Sequence, residues 1–475
     1  MDRSRLIFGD EPEKKRKLIN PLDDPIRYPL DSKGIGNAFA DSFKRELRFV
    51  ADENCWRHFD GIRWKKDHVG LRSRELAKDY LDFLIEILLV IDKEDENFVA
   101  LSEVVISLTK YGGRKTMLDE SMSVHPLTKS DFDSKKNLLN CQNYTIDLST
   151  GKPRKHDPDD FITKVAPVLY DKDAKSLRWS DFTLEIMNDD IEATRFLQKS
   201  CGYGTTGETN QECLFVFFGP TTRNGKGTLV ESIVNVLGDY SLNMQPDSLA
   251  KRKRYSGSSP SPDIARNVGV RFVCVNEPAE DMVLDAAIVK QLTGSDTITA
   301  RMLYANSFDY IPQFKLYIST NHLPMVTDDT LFSSGRIKVI PFNRHFGDNE
   351  QDRSLKSLFR TDESKSAILN WLLEGLMLYR CEGLEAPQSI LEATSAYRKN
   401  TDTVGLFIKD ATSKNPKAKI LKTSDVFGIY TDWCDDNDVT SVNLKNFIYT
   451  FRKSGFVKRD GKLGNVVYGV EINYR

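Results

Sequence analysis

Residues 213–238 constrain the possible folds of this chain more than any other stretch. Six consecutive apolar residues, Cys213 to Phe218, are typical of a strand that is buried on both faces. A loop of small and polar residues follows, and apolar residues then recur with a helical period until Gly238, which can end the helix. In a phosphate-binding P-loop, such a loop places backbone N–H groups, a helix N-terminus and a lysine around the phosphates. We therefore predict an α/β core organised around a P-loop.

The loop departs from the usual pattern G-x-x-x-x-G-K-[ST] at two positions. Pro220 stands where the pattern has its first glycine. Gly227 follows Lys226, so a side-chain hydroxyl arrives only at Thr228. The residues predicted to bind ATP are Gly219, Pro220, Thr221, Thr222, Arg223, Asn224, Gly225, Lys226, Gly227 and Thr228. Because Gly-Lys-Gly-Thr also occurs in nucleotide kinases, the loop alone leaves the function open.

Composition excludes some classes of protein. The formal net charge is −2 although 29% of the residues are charged, so any nucleic-acid surface must be local. The seven cysteines include no Cys-x-x-Cys pair, which argues against a disulfide framework or a zinc site. We find no signal-peptide core and no apolar run of transmembrane length. We therefore expect a soluble cytoplasmic protein without a membrane partner, and a length of 475 residues favours about two to four domains.

The first predicted domain, residues 1–130, mixes helices with a small aromatic hairpin. Residues 1–35 are polar and proline-bearing, and we expect a loosely ordered arm. Residues 37–50 and 71–111 carry helical patterns. Between them, Asp60-Gly61 separates two short aromatic runs, which is a strong hairpin signal. Its two tryptophans favour a small core over a base-stacking platform.

The second predicted domain, residues 131–200, is a collar before the P-loop strand. Residues 136–170 carry short strand and turn signals, and residues 178–201 carry a helical pattern.

Residues 201–350 form the third predicted domain, an ATPase core. Val268 to Glu277 predicts a second buried strand that ends in an acid. Such a strand can deliver a carboxylate beside the γ-phosphate, where it orients the attacking water. A third apolar strand ends at Asn321, whose side chain could sense the γ-phosphate or serve as a turn residue.

Three other segments of this domain carry weaker signals. Residues 298–314 alternate enough to predict a hairpin around Ala305-Asn306. Arg336 stands at the start of a further apolar strand. The basic run at 251–254 is expected to be an exposed connection rather than a DNA contact.

The C-terminal part divides into a helical lid, residues 351–402, and a winged helix, residues 403–475. Two helices at about 424–435 and 443–453 precede a strand pair within 456–470. From Ser441 to Lys462, six basic residues stand against one acid, which favours contacts with DNA phosphates over a solvated or protein-docking face. The predicted DNA contacts here are Lys445, Arg452, Lys453, Lys458 and Arg459.

Five segments in register resemble the superfamily 3 helicases: NGKGT, RFVCVNE, VKQLTGSDTITARMLY, KLYISTNHLP and GRIKVIPF. The branch that they resemble is the phage/plasmid primase-helicase family, similar to the poxvirus primase-helicase. The Trp…Asp-Gly…Trp hairpin and NYTIDLSTGKPRKHDP extend the resemblance upstream, so that it covers about residues 35–470.

This resemblance implies a ring, usually a hexamer, of AAA+-like domains that use ATP and Mg²⁺. Lys226 would bind the β- and γ-phosphates, and Glu277 would polarise the attacking water. Asn321 would be the sensor, and Arg336 would be an arginine finger that reaches a neighbour's nucleotide. Thr228 and Glu277 are the candidate residues beside Mg²⁺.

The resemblance also implies how DNA is held. Lys290, Thr293, Gly294, Asp296 and Arg301 match the family's B′ motif, which leads into a pore hairpin that grips DNA. The candidate DNA contacts here are Lys290, Arg301, Tyr304 and Asn306. The hairpin tip carries no lysine, unlike the family pattern.

We interpret the chain as an ATP-dependent replicative DNA helicase of a phage, plasmid or other mobile element. It would act in the cytoplasm of a bacterial host, as a ring of its own copies on single-stranded or forked DNA, with 3′→5′ polarity by resemblance. Residues before 200 show neither a zinc pattern nor an acidic polymerase-type cluster, so we expect no primase domain there, and a separate primase or initiator is a candidate partner. One alternative is an ATP-assembled origin-binding initiator or scaffold protein without processive unwinding. A nucleotide kinase, the other alternative, would leave Asn321 and Arg336 without a role.

Overall fold

A computed structural model describes residues 17–251, 261–280, 282–304, 306–326, 328–401, 403–437, 439, 441–460 and 464–474. The N-terminal region combines four helices with an antiparallel sheet. Its elements are α1 (Ser32–Phe43), β1 (Leu47–Val50), β2 (Cys55–Phe59), β3 (Trp64–Lys66), α2 (Leu71–Val90), α3 (Glu96–Thr109) and α4 (Tyr111–Ser121). The Asp60-Gly61 hairpin is confirmed as the connection between β2 and β3.

Two predictions for this region are wrong. The helix predicted over residues 37–50 ends at Phe43, because Leu47–Val50 pair with β2 and the Phe49 ring packs against Trp56. The predicted loose arm is packed from residue 18 onward, where Leu18, Ile19 and Leu22 cover the N-terminal core. Residues 1–16 lie outside the described part of the chain.

A small antiparallel sheet and two helices come next. They are β4 (Leu138–Asn140), β5 (Thr145–Asp147), β6 (Lys152–Arg154), α5 (Leu177–Ile186) and α6 (Ile191–Tyr203). The helical stretch predicted at 178–201 is therefore broken in two, since Asn188 and Asp189 adopt positive φ angles and the Asp190 side chain caps α6.

A five-stranded parallel sheet forms the centre of the molecule. The elements of this part are β7 (Leu214–Phe218), α7 (Lys226–Leu237), β8 (Ser241–Met244), α8 (Pro262–Ala265), β9 (Phe272–Asn276), β10 (Val283–Leu284), α9 (Ala286–Thr293), β11 (Ile298–Arg301), β12 (Ser307–Tyr310), β13 (Lys315–Thr320), β14 (Met325–Val326), α10 (Thr330–Ser333) and β15 (Ile337–Pro341). The strand order is β15-β7-β13-β9-β8, and neighbouring strands are parallel throughout. The predicted α/β core with buried strands is confirmed.

Both faces of this sheet are covered, which explains the continuous apolar runs of its strands. Phe215, Phe217 and Tyr317 point into one hydrophobic cluster. Val216 and Ile318, which are next to them along the strands, point into the other.

Three helices follow the sheet: α11 (Leu355–Leu358), α12 (Asp362–Glu382) and α13 (Gln388–Thr401). Helix α12 lies against α6 at two glycines. A Cβ on Gly202 would come within 2.2 Å of the Leu376 backbone N, and one on Gly375 within 2.2 Å of the Gln198 carbonyl O. These glycines therefore set the spacing of the two helices.

The C-terminal residues have a core of their own, built on Phe407, Tyr430, Phe447 and Phe451. The elements are α14 (Thr403–Ala411), β16 (Thr412–Lys414), β17 (Leu421–Lys422), α15 (Thr423–Asp436), α16 (Leu444–Lys453), β18 (Val457–Asp460), β19 (Gly464–Val467) and β20 (Val470–Ile472). The predicted helix pair and strand pair are present, in a sheet of order β17-β19-β18. The predicted turn between β18 and β19 includes residues 461–463, which lie outside the described residues. Among the helices of the described part, none has the length and apolarity needed to cross a membrane.

Candidate active site

The carboxyl ends of three neighbouring strands, β7, β13 and β9, open into one cavity of about 490 Å³. Asn224, Lys226, Glu277, Ser319 and Asn321 are among the residues that line it. In open parallel sheets, ligands bind outside the carboxyl ends of the strands, and small-molecule sites have volumes of roughly 300–1,000 Å³. The structure therefore brings three of the four predicted catalytic residues together at a cavity of suitable size.

Lys226 is buried at the first position of α7, with 4% of its surface exposed. Its Nζ donates hydrogen bonds to Asn321 Oδ1 at 2.7 Å and to the Gly219 carbonyl O at 3.3 Å. Burial lowers the pKa of Lys226 to about 8, and the negative charge of Glu277 opposes that shift. A buried ammonium whose hydrogen-bond acceptors here are neutral is well placed to pair with an incoming anion.

The loop needs glycine at two of its positions. A Cβ on Gly219 would lie 2.3 Å from Asn224 Nδ2 and 2.7 Å from the Phe342 carbonyl O. Gly225 has a φ of +81°, and its Cβ would lie 2.3 Å from Ile186 Cγ2. Close packing of the loop therefore excludes side chains there.

Helix α7 starts directly after this loop, with Gly225 as an N-cap that has no side chain. The N–H of Leu229 bonds to the Gly225 carbonyl O at 3.0 Å, in the first turn of the helix. The N–H groups before Leu229 have no carbonyl acceptor within the helix, so they are available to an anion at its N-terminus.

The chain that follows β15 supports the outer part of the loop. His345 Nδ1 lies 2.8 Å from the Thr222 carbonyl O, and the N–H of Phe346 donates to the Arg223 carbonyl O at 2.9 Å. The Arg223 side chain also forms an ion pair with Asp348. These contacts hold Arg223 in a left-handed conformation, with a φ of +59°.

Glu277 follows β9 directly and is exposed to the cavity. Its φ of +46° is unusual for a residue with a side chain, and its N–H donates to the Ser319 carbonyl O at 2.9 Å. Strained backbone of this kind is common where a side chain must be aimed at a ligand. The neighbouring Asn276 Nδ2 donates to Asn243 Oδ1 at 3.3 Å, and both amides also line the cavity.

Of the two residues predicted to lie beside Mg²⁺, one lines the cavity and the other does not. Glu277 lines the cavity together with Gly227, whereas Thr228, one position further along α7, is not among the lining residues. A Cβ on Gly227 would meet no atom within 4 Å. The sequence pattern therefore leaves open space where most P-loops carry a serine or threonine.

Arg336 lies at the amino ends of the sheet strands, whereas the cavity lies at their carboxyl ends. It precedes β15, whose five residues span roughly 16 Å at about 3.3 Å each. Its guanidinium donates to Thr293 Oγ1 at 2.9 Å and to Glu212 Oε2 at 2.6 Å. Within its own chain, Arg336 therefore does not reach the cavity.

The residues of the B′ segment differ in exposure. Lys290 donates to Asp328 Oδ2 at 3.1 Å and to Thr330 Oγ1 at 2.6 Å. Arg301 ends β11 and is half-buried, while Gly294 is buried and Asp296 is exposed. The B′ residues are therefore partly engaged within the chain.

The hairpin tip is more accessible. Strands β11 and β12 pair in an antiparallel register, and Tyr304 at the tip is fully exposed with a φ of +58°. Asn306 is also exposed, and 60% of the Leu303 surface is accessible. Ala305 lies outside the described residues.

Most of the basic residues predicted to contact DNA in the C-terminal region are on a single helix. Lys445, Arg452 and Lys453 are exposed on α16, and Arg452 Nη2 donates to Asn465 Oδ1 at 2.7 Å. Tyr449 lies on the same helical face, with 55% of its surface exposed. Lys458 and Arg459 are exposed on β18, and Lys462 lies outside the described residues.

Several cavity residues were not predicted as site residues, among them Asn243, Ser319 and Lys356. Ser319 lies inside a predicted strand one position before its end, so the strand boundary could have identified it. Asn243 and Lys356 carry no local signal, because packing of β8 and α11 beside α7 brings them to the cavity.

Comparison with known proteins shows what this chain resembles. Residues 36–188 match the protein family described as D5 N terminal like. A "Putative helicase" of Acanthamoeba polyphaga mimivirus is 28% identical over 366 residues, which are 72% of this chain and 38% of that protein. The resemblance to D5-like primase-helicases is confirmed.

Two further viral relatives are similar to this chain at lower identity. A "Putative helicase" of Frog virus 3 is 27% identical over 329 residues, covering 64% of this chain and 32% of the relative. A "Putative primase" of African swine fever virus is 22% identical over 247 residues, covering 47% and 25%. The chain thus spans at most 38% of the length of these three relatives. Among solved structures, the NrS-1 C-terminal region aligns with a TM-score of 0.45 and 14% identity, over 86% of this chain and 82% of that one.

Proposed function

We propose that this D5-like chain is an ATP-driven DNA helicase that acts in the replication of a virus, phage, plasmid or other mobile element. The observation that carries the proposal is the convergence of Lys226, Glu277 and Asn321 on one cavity at the carboxyl edge of the sheet. The names of the viral relatives support the choice of helicase over nucleotide kinase.

The proposed function gives each side chain a role. The N-terminus of α7 and the Lys226 ammonium bind the β- and γ-phosphates, where both supply positive charge. The Asn321 amide contacts Lys226 in the structure, so it is within reach of the same phosphates. The Glu277 carboxylate accepts a hydrogen bond from the attacking water and orients it toward phosphorus.

Mg²⁺ fits the donors at this site. The ion usually takes one or two carboxylates together with substrate phosphates and water, so a cage of protein ligands is not required. Glu277 supplies the carboxylate, Thr228 is the hydroxyl predicted from the sequence, and the bound ion would neutralise charge on the phosphates.

Arg336 supports a ring of subunits. Because it lies an entire strand length from its own cavity, it can assist hydrolysis only at the cavity of another subunit. An arginine finger supplied in this way is worth about 10³–10⁵ in turnover. The Glu212 and Thr293 contacts of Arg336 would then be exchanged for a neighbour's phosphate.

Two surfaces would contact DNA. Tyr304 and Asn306 lie at the tip of the hairpin that grips the single strand, Arg301 lies at the end of its first strand, and Lys290 on α9 adds a further contact. The C-terminal elements form a winged helix whose α16 and β18 present the basic residues to phosphates. We propose five domains with the predicted boundaries at residues 130, 200, 350 and 402.

Steady-state ATP hydrolysis tests the proposal. The rate should rise with single-stranded DNA and with protein concentration, and Lys226→Ala or Arg336→Ala should each abolish most of it. Mixing the two variants should restore hydrolysis, because a mixed ring pairs the intact Lys226 of one subunit with the intact Arg336 of the next. If the hydrolysis rate per subunit does not depend on protein concentration, or if mixing the two variants restores no hydrolysis, then Arg336 does not act on a neighbouring subunit.

A further inference from the structure

An ion-pair cluster borders the phosphate end of the cavity and has no role in the function proposed above. Glu231 lies on α7, and its two carboxylate oxygens bind different cations. Oε2 accepts from Lys356 Nζ at 2.7 Å, and Oε1 accepts from Arg360 Nη2 at 2.5 Å. Lys356 lines the cavity, and its helix α11 follows residues 345–348, which support the P-loop.

The pairing between Lys356 and Glu231 is easily exchanged. The Lys356 side chain is 55% exposed, and that of Glu231 is 28% exposed. Exposed ion pairs contribute little because water and salt screen them. A polyphosphate carries several negative charges and Glu231 carries one, so a bound polyphosphate attracts the Lys356 ammonium group more strongly.

The position of Glu231 also places Lys356 close to the N-terminus of α7. Gly227 and Glu231 are four residues apart, so they are neighbours on one helical face, separated by about one 5.4 Å turn. Gly227 has no side chain, and a Cβ there would meet no atom within 4 Å. The path from Lys356 Nζ to the phosphate site is therefore open at the position where most P-loops carry a hydroxyl.

We propose that Lys356 is a second phosphate-binding lysine, which exchanges Glu231 for the terminal phosphate of a bound nucleoside triphosphate. This inference rests on the proposed function, because it requires phosphates at the N-terminus of α7. Glu231 keeps Arg360 on its other oxygen, so its charge stays neutralised when Lys356 moves. Lys356 thereby links the nucleotide to α11 and to the helices that follow it.

Calorimetric titration of the full chain with ATPγS and with ADP, both with Mg²⁺, tests the proposal. Lys356→Gln should weaken ATPγS binding about tenfold and ADP binding less than threefold, whereas Lys356→Arg should retain most of the affinity. Glu231→Gln should tighten ATPγS binding, and that gain should vanish when Lys356→Gln is added.

Arg360→Gln is the matched control, because it removes the other cation on the same carboxylate but leaves Lys356 at the cavity. It should change ATPγS affinity less than threefold, and unfolding temperatures should show that each variant is folded. Equal effects of Lys356→Gln and Arg360→Gln, or none from Lys356→Gln, would overturn the proposal.

Lys226→Ala separates this inference from the function on which it rests. If Lys226→Ala abolishes nucleotide binding while Lys356→Gln binds normally, only the role of Lys356 is wrong. If Lys226→Ala binds ATPγS like the wild-type chain, the nucleotide site itself is wrong.

Discussion

A buried lysine lies at each end of the strands of the central sheet. Lys226 lies where the strands have their carboxyl ends (the carboxyl edge), and Lys315 lies where they have their amino ends (the amino edge). Their surfaces are 4% and 2% exposed. Burial lowers the pKa of both ammonium groups. Burial and charge alone would therefore assign the two residues the same role.

Their hydrogen bonds distinguish them. Lys315 Nζ donates to the carbonyl oxygens of Thr206, Glu208 and Gln313, the last two at 3.1 and 3.3 Å. An ammonium group has three donors, so these carbonyls saturate it. Lys226 Nζ donates to Asn321 and Gly219 instead, and one donor remains for a ligand.

The two lysines are both buried, so burial does not show which one binds a ligand. The difference lies in their hydrogen-bond acceptors: a structural cation uses all its donors within the protein, and a binding cation keeps one for the ligand. Lys315 ties the loop after α6 to the start of β13. Arg271 beside it acts in the same way, with its guanidinium donating to the Thr205 and Leu138 carbonyls at 2.8 and 2.6 Å. Buried cations therefore hold neighbouring segments together at the amino edge, and the proposed ligand site lies at the carboxyl edge.

The largest expected effect is on activity, at the carboxyl edge. Lys226→Met should lower kcat/KM for ATP by roughly 10²–10³-fold, because a charge stabilising the transferred phosphoryl group is lost. The unfolding temperature should not fall, since the variant no longer buries a charge. Hydrolysis assays and calorimetric scans on the same sample measure both. Activity within threefold of wild type would refute the phosphate contact.

The next effect is on stability, at the amino edge. Lys315→Met should leave three buried carbonyls without a donor, each costing about 1–3 kcal/mol, so the unfolding temperature should fall by roughly 5–10 °C. ATP affinity, measured well below the transition, should stay within twofold. A variant that keeps its unfolding temperature but loses nucleotide binding would reverse the assignment of the two edges.

Sequence analysis predicted the carboxyl edge better than the amino edge, for a physical reason. A buried run followed by a polar residue marks the end of a strand, and the ends of parallel strands meet at one edge. Glu277 and Asn321 could therefore be predicted together. Two of the three acceptors of Lys315, the Thr206 and Glu208 carbonyls, come from residues 109 and 107 positions earlier, and no local pattern encodes those contacts.

Errors elsewhere have the same origin. Leu47–Val50 follow a helical pattern and become a strand because β2 lies beside them. Lys356 reaches the cavity because α11 packs beside α7. The contacts with Glu212 and Thr293, which hold the Arg336 guanidinium at the amino edge, could not be predicted from its position in the sequence either.

A smaller effect is expected when the surroundings of Lys226 are crowded. A Cβ on Gly219 would approach Lys226 Nζ to 3.0 Å and Asn224 Nδ2 to 2.3 Å, so Gly219→Ala should weaken ATPγS binding roughly 30-fold by displacing both. Gly227→Ala is the matched control, because its Cβ meets no atom within 4 Å and should leave affinity within about threefold. Equal losses in the two variants would show that the close packing around Lys226 is unimportant.

The smallest effect is on pH dependence, and it tests the difference between the two lysines directly. The pKa of Lys226 is about 8 because of burial, below its ordinary value of 10.5. Phosphates bind the protonated form, so above pH 8 binding must take up a proton. The Kd for ATPγS should therefore be flat below pH 8 and should rise by up to tenfold per pH unit above it.

Lys315→Met should keep this profile, since Lys315 lies at the far edge of the sheet, whereas Lys226→Met should lose it. A flat wild-type profile from pH 7 to 9.5 would mean that the Lys226 ammonium is not the group that the nucleotide requires.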